Sequence, residues 1–206
     1  AEKLGVTLVA SEMAFDSLIP AIQAGTIDIA ASMTPTDERK QAVDFSENYY
    51  ETSNVFLVRK GEEGNFTSVE SFDGKTIGAQ VGTAQNDLVV NDMTNAQSLL
   101  LPKVTTLVQE LKTGNIDAIC MEKPTGDIYA AAYPDLVIAD YVVADAAGGV
   151  AFPVLHGIYV AADSPIQDVD DLIAFINETI EELKASGELE KLYQEACAQA
   201  IDQLSE

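Results

Sequence analysis

The chain has 206 residues, 47% of them hydrophobic, enough for one large domain or two small lobes that each bury a core. Against 34 acidic residues stand only 11 basic ones, and a formal charge of -23 repels phosphate backbones and anionic headgroups, which argues against nucleic acid as a partner. The longest apolar runs, such as "NVFLV" and "GGVAFPVL", fall far short of the ~20 residues that cross a bilayer.

Taken in chain order, "VTLVAS" (6–11) has strand character, and Phe15, Leu18, Ile19 and Ile22 recur at the spacing of one buried helix face. Gly25 closes that helix, and "IDIAAS" follows as a short buried strand. A polar turn at 34–40, "VDFSENYY" and a strand "NVFLVRK" come next. After "GEEGNFTS" the alternation restarts, with "KTIGAQV" as strand, a helix from about Thr83, and "KVTTL" running into another helix. "IDAICM", "LVIAD" and "HGIYVAA" read as further strands. From Asp168 to Leu192 the positions of Leu172, Ile173, Ile176, Ile180 and Leu183 predict one long amphipathic helix. Alternation of this kind predicts an α/β fold with mostly parallel sheets flanked by helices.

"LIPAIQAGTIDIAASM" from Leu18 and "LVQELKTGNIDAICME" from Leu107 match in type at a constant offset: Ile22 with Leu111, Gly25 with Gly114, Ile27 with Ile116, Asp28 with Asp117. Each copy is a helix, a glycine stop and a strand, which predicts two related lobes. Helix, glycine and strand also succeed one another in any α/β protein. Ligands of open α/β sheets sit outside the carboxyl ends of strands.

In the first copy the strand end delivers Ser32 and Thr34, then Thr36, which can cap a short helix whose first turn holds Arg39. A plain cap and a solvated arginine account for the same pattern. In the second copy the strand end delivers Met121, Glu122, Lys123 and Pro124, and Glu122 reads either as a cleft carboxylate or as a surface acid beside Lys123. Between the copies, "IGAQVGTAQND" runs from a strand through Gly82 and Thr83 to a helix start at Ala84, whose N–H groups suit a carboxylate or phosphate. The lysine of a P-loop is absent, and a glycine-threonine turn serves equally as a cap. An arginine with hydroxyls, an anion-binding helix start and an acid opposite together match a zwitterion. Cys120 and Cys197 have none of the paired spacings of zinc sites, so no metal is expected; they read as two free thiols or one disulfide.

The run "FDSLIPAIQAGTIDIAASMTPTDERKQAVDFSENYYETSNVFLVRKG" resembles the signature of the extracytoplasmic amino-acid-binding proteins of ABC transporters, solute-binding family 3. "FDGKTIGAQVGTAQ", "GNIDAICMEKP", "HGIYVAADSP" and "IEELKASGELEKLYQEAC" are similar to further parts of it. The resemblance implies a two-lobed periplasmic-binding-protein type II clamp, with residues 1–60 and 153–206 in lobe one, 61–152 in lobe two, and hinge crossings near Val58 to Gly61 and Phe152 to His156. It implies that Arg39 grips a ligand α-carboxylate, helped by Thr34, Thr83 and backbone N–H groups around Gly82 and Ala84. Ser32 and Glu122 would then meet the α-ammonium, with Phe15, Glu12, Tyr49 and Tyr50 near the cleft, although the family usually has Asp where Glu122 stands.

The implied partners are a small amino acid and a membrane permease, with no cofactor, in an extracytoplasmic location whose signal segment is not in this chain. By comparison with the family, about forty residues that precede Ala1, including the first strand of lobe one, are absent, so the first lobe is expected to be incomplete. That strand would leave a gap of ~9.5 Å between "VTLVAS" and "IDIAAS", open to a strand from a partner chain or a second copy. An enzyme of the same fold, similar to cyclohexadienyl dehydratase, could use Glu122 or Lys123, and a sensory ectodomain would share the binding chemistry. A hydrolase is disfavoured, because the lone histidine, His156, falls on a hinge strand and no G-x-S-x-G motif occurs.

Overall fold

The computed structural model describes residues 1–153 and 168–205. The expected return strand "HGIYVAADSP", with His156 and the end of the second hinge, lies outside the described residues.

A 3₁₀ turn at Phe15–Ser17 leads into α1 (Leu18–Gln23), which places Ile22 fully in the interior as its spacing predicts. β1 (Ala30–Met33), a 3₁₀ turn at Arg39–Gln41, β2 (Val43–Phe45) and β3 (Tyr50–Arg59) follow. Then come β4 (Thr76–Gln80), α2 (Ala84–Asn91), β5 (Gln97–Leu101), α3 (Val104–Lys112), β6 (Ala118–Glu122) and α4 (Lys123–Ala132). β7 (Leu136–Pro153) is followed by α5 (Val169–Ser186) and α6 (Glu188–Ser205). Among the described residues no helix is long and apolar enough to cross a membrane.

The strands lie in the order β1-β7-β3-β6-β4-β5, with β2 also paired to β7. β4 is parallel to β5 and β6, whereas β3 runs antiparallel to both β6 and β7, and β1 and β2 run antiparallel to β7. The sheet is therefore mixed, and the expected parallel pairing is confined to β5, β4 and β6. The cause is connectivity: α4 carries the chain from β6 across to β7, and β3 is inserted between those two strands against the direction of both.

Alternate residues of the central strands enter two cores. Phe56 and Val58 of β3 pack with Ala118 and Cys120 of β6 on one face, and Val55 and Leu57 pack with Ile119 and Met121 on the other. Helices cover both faces, so these strands read as continuous apolar runs instead of alternating ones. A separate, smaller core gathers Ile22, Ala30, Met33 and Val43 with Phe15, Leu18 and Phe45. β7 joins the two regions, pairing residues 136–148 with β3 and residues 149–153 with β1 and β2.

The internal repeat is reproduced in the backbone. Gly25 and Gly114 both take positive φ, 68° and 79°. Gly25 donates to the carbonyl of Ile22 and Thr26 to that of Ala21, and Gly114 and Asn115 repeat this with Leu111 and Glu110. Two helices thus end by one device, which glycine permits without a Cβ clash.

Three expectations are corrected. Residues 6–11 form no strand, and Val6, Leu8 and Val9 are 56%, 71% and 79% exposed. Strand character becomes structure only beside a pairing neighbour, and no described strand runs alongside. "IDIAAS" becomes strand only from Ala30 onward. The long C-terminal helix is two, because Gly187 ends α5 in the left-handed conformation, φ 74°, with its amide on the Lys184 carbonyl.

Gly126 on α4 has no room for a side chain: a Cβ there would stand 2.8 Å from Cγ2 of Val55 and 2.7 Å from Cδ1 of Ile138. Val55 is stiff and wholly buried, so it cannot give way. Crowding of this kind costs ~1–3 kcal/mol and exceeds the helix-propensity gain of ~1 kcal/mol. Gly126→Ala should therefore lower the melting temperature, which a calorimetric scan against wild type will show.

Candidate functional site

The carboxyl ends of β1, β4 and β6 converge on a cavity of ≈ 220 Å³. Phe15, Ser32, Thr34, Arg39, Thr83, Ala84 and Glu122, all singled out from the sequence, line it. Gly82 does not, but its carbonyl takes a hydrogen bond from Arg39. The volume lies below the ~300–1,000 Å³ of sites for drug-sized ligands, so the guest it suits is a small one.

Arg39 is only 9% exposed, which rules out the solvated arginine that its sequence context allows. Thr36 does act as a cap, with its hydroxyl accepting from the Arg39 amide at 3.2 Å. The guanidinium donates through Nη1 to the Thr34 carbonyl at 2.8 Å and through Nη2 to the Gly82 carbonyl at 2.9 Å. Its Cζ lies 5.4 Å from the centroid of the Phe15 ring, within cation–π range. Burial pulls its pKa down, while Asp87, Glu38 and Glu122 push it back, and a guanidinium stays charged throughout.

Gly82 makes the contact with Arg39 possible. It has φ 78°, and a Cβ on it would stand 2.8 Å from that of Asp16, so only glycine lets the loop before α1 close over this turn. Thr83 is the N-cap of α2, as the sequence predicts, and accepts from the Asn86 amide at 3.2 Å. Its hydroxyl proton is directed to the Gln80 carbonyl at 2.7 Å, so in this arrangement it has no donor left for a carboxylate.

Glu122 ends β6 opposite Asn54 of β3 and accepts from the Tyr50 hydroxyl at 2.6 Å. Lys123, its neighbour in sequence, turns away to pair with Asp127. Burial raises the Glu122 pKa, and Tyr50, Arg39 and Thr34 only partly offset that rise. Ser32 holds φ 62°, a left-handed conformation rare for a residue with a side chain, and its hydroxyl meets that of Tyr49 at 2.9 Å.

Met121, named at the strand end with Glu122, also lines the cavity, whereas Gln80, Gln85, Cys120 and Thr125, with the apolar Val104, Leu107 and Ile119, were not singled out for the site from the sequence. Gln85 is buried on the first turn of α2, with its amide on Asn54, and strand alternation at β6 could have flagged Cys120 as sharing the face of Glu122. Both cysteines are free, and burial pushes the Cys120 thiol up to about 12, which leaves it protonated and unreactive. A larger hollow of ≈ 620 Å³ lies behind Tyr49 and Tyr50, against Leu189, Leu192 and Tyr193. It lacks the buried cation that distinguishes the smaller cavity.

The arrangement is that of the type II periplasmic binding fold. In three dimensions the chain is similar to AbpA, an amino acid ABC transporter substrate-binding protein from Streptococcus pneumoniae solved with L-arginine bound. The TM-score is 0.88 at 33% identity, over 97% of this chain and 80% of that one. The chain belongs to the bacterial extracellular solute-binding proteins, family 3, whose pattern it matches over residues 1–198. The probable histidine-binding protein of Campylobacter jejuni is 36% identical over 188 residues, 91% of this chain and 68% of that protein. The arginine-binding extracellular protein ArtP of Bacillus subtilis is 33% identical over 198 residues, 93% of this chain and 71% of that protein.

Because Glu122 is raised in the folded state, the fold holds its proton to higher pH than the unfolded chain does. The stability this contributes is present below the ordinary glutamate range and is lost as pH rises through the raised value. Glu122→Gln should therefore melt above wild type at about pH 8 and show a much smaller difference at about pH 4, as followed by thermal denaturation at both.

Proposed function

We propose that the protein binds one free amino acid between Arg39 and Glu122 and delivers it to an ABC transporter. The observation that carries this reading is the buried guanidinium: two of its five N–H groups are spent on carbonyls, and three remain for a guest. A planar fork of donors matches a carboxylate, and Glu122 supplies the opposite charge for the ammonium across the same cavity. Ser32 adds a second ammonium contact, and the amide of Ala84, at the start of α2, completes the carboxylate end, while the Thr34 hydroxyl is held by Glu122 and the Thr83 amide by the Gln80 carbonyl. Phe15 lies under the guanidinium and shields it from water. The histidine- and arginine-binding relatives and the arginine bound to AbpA support the ligand class. The protein then acts outside the cytoplasm as a receptor, not a catalyst.

Within this reading the cleft opens and closes between two lobes. Lobe one is built from residues before β3 together with α5, and lobe two from the strands between, with Leu204 of α6 packed against the lobe-two core. Val55–Val58 sit in the larger cores, which favours a first crossing nearer Tyr49 and Tyr50 than the expected one at Val58 to Gly61. A closed lobe pair is the shape that a membrane permease would recognise. Among the described residues β1 ends the strand order and residues 6–11 pair with no strand, so a strand from another chain, or from a second copy, would satisfy both edges.

Removing one partner of a desolvated, hydrogen-bonded charge pair costs ~2–5 kcal/mol. Titration calorimetry with L-arginine, L-histidine and the other common amino acids should find a ligand for wild type, a loss of that size for Arg39→Ala, and a smaller loss for Arg39→Lys. Unchanged affinity in Arg39→Ala would reject the reading. If a second copy supplies the strand, light scattering will give a mass above the 22.0 kDa of one chain; a monomer that melts cooperatively rejects it.

A further inference from the structure

We propose that Tyr49 and Tyr50 are positioning residues, whose hydroxyls hold the two ammonium-contacting groups of the cleft, Ser32 and Glu122, from a single point at the start of β3. This rests on the amino-acid-binding reading. Neither tyrosine lines the charged cavity, and both line the hollow behind it. Tyr50 donates to Glu122 Oε2 at 2.6 Å, and the Tyr49 hydroxyl lies 2.9 Å from Ser32 Oγ. The two rings lean on each other with centroids 5.1 Å apart and planes at 59°. Tyr50 is fixed to the sheet through its pairing with Gly148 of β7. Two adjacent residues thus reach to β1 on one side and to β6 on the other.

Glutamate has several rotatable bonds, and an ammonium is best met by a carboxylate already in place. The groups facing Glu122 are Arg39 from its 3₁₀ turn, Thr34 from the turn after β1, and Tyr49 and Tyr50 from the start of β3; Tyr193 of α6 acts on Tyr50 from the hollow. Burial and the neighbouring carboxylate push the Tyr50 pKa far up, so its phenol remains a proton donor over the whole working range. A neutral donor to Glu122 favours the ionised carboxylate, the form an ammonium needs.

The test compares Tyr50→Phe and Tyr49→Phe with wild type in two measurements. Carbon-13 NMR of labelled glutamate carboxyls follows the Glu122 titration without ligand, with Glu122→Gln to assign it. Calorimetry with L-arginine between about pH 5 and pH 8 follows binding. Tyr50→Phe should raise the Glu122 midpoint and move the acid limb of the binding profile upward with it; a shift of about one pH unit is a tenfold loss at the acid end that recovers toward pH 8. Tyr49→Phe should weaken binding equally at every pH. The phenylalanine variants keep the ring packing, so an effect confined to folding would leave the profile's shape unchanged. An unmoved Glu122 midpoint, or an unchanged binding profile, overturns the proposal while binding itself stands. Wild type that binds no amino acid, with Arg39→Ala indistinguishable from it, overturns the binding reading and this role together.

Discussion

Everything about the cleft depends on keeping one guanidinium charged while it is nearly buried. Arg39 achieves this with two carbonyl acceptors from different parts of the fold, Thr34 after β1 and Gly82 after β4. A buried charge without such partners would be prohibitively costly, and with them it still has donors to offer. The Phe15 ring excludes water on one side, and Gly82 is glycine because Asp16 occupies the space its side chain would need. The small core around Ile22 and Met33 therefore does more than stabilise its own elements. It fixes the approach of the α1 loop to the turn before α2, and with it the position of the charge.

The acid across the cavity is held by different means. Glu122 sits at the last residue of β6, where strand pairing with Asn54 fixes its backbone and a phenol fixes its carboxylate. Burial makes ionisation harder for it, and an arriving cation would reverse that. In the proposed reading, the buried cation and the buried acid together suit a molecule bearing both charges. On that reading, a guest with only one would leave either Arg39 or Glu122 uncompensated in a desolvated place, which would favour zwitterions.

The fold supplies this geometry through a mixed sheet. β3 runs against both of its neighbours in a sheet whose other half is parallel, and β7 is long enough to belong to both sets of strands. The carboxyl ends of β1, β4 and β6 can then face one cavity although they come from separate cores. Tyr49 and Tyr50 lie where β3 enters the sheet, which is why two consecutive residues can touch opposite walls.

Local chemistry was legible in the sequence wherever one residue decides a backbone conformation. Gly25 and Gly114 announced two matching helix ends, and Thr83 and Asp168 announced helix starts, because these devices act within a few residues of themselves. The type and order of most elements followed from apolar spacing. "VTLVAS" failed as a strand, since pairing is a property of two segments, and "QSLLL" went unread as β5 because a short leucine run suits helix and strand alike. Gly187 went unread because the apolar pattern of α5 continues past it.

From the chain alone came the candidate arginine, the acid, the capping turn and the repeat that puts them at equivalent strand ends. Only the tertiary structure decided that Arg39 is buried and not solvated, that the Thr83 hydroxyl is already engaged, and that two tyrosines reach Ser32 and Glu122. The reason is distance along the chain. Caps and turns are settled by neighbours a few residues away, whereas desolvation and a hydrogen bond between Tyr50 and Glu122 exist only once remote segments have packed together.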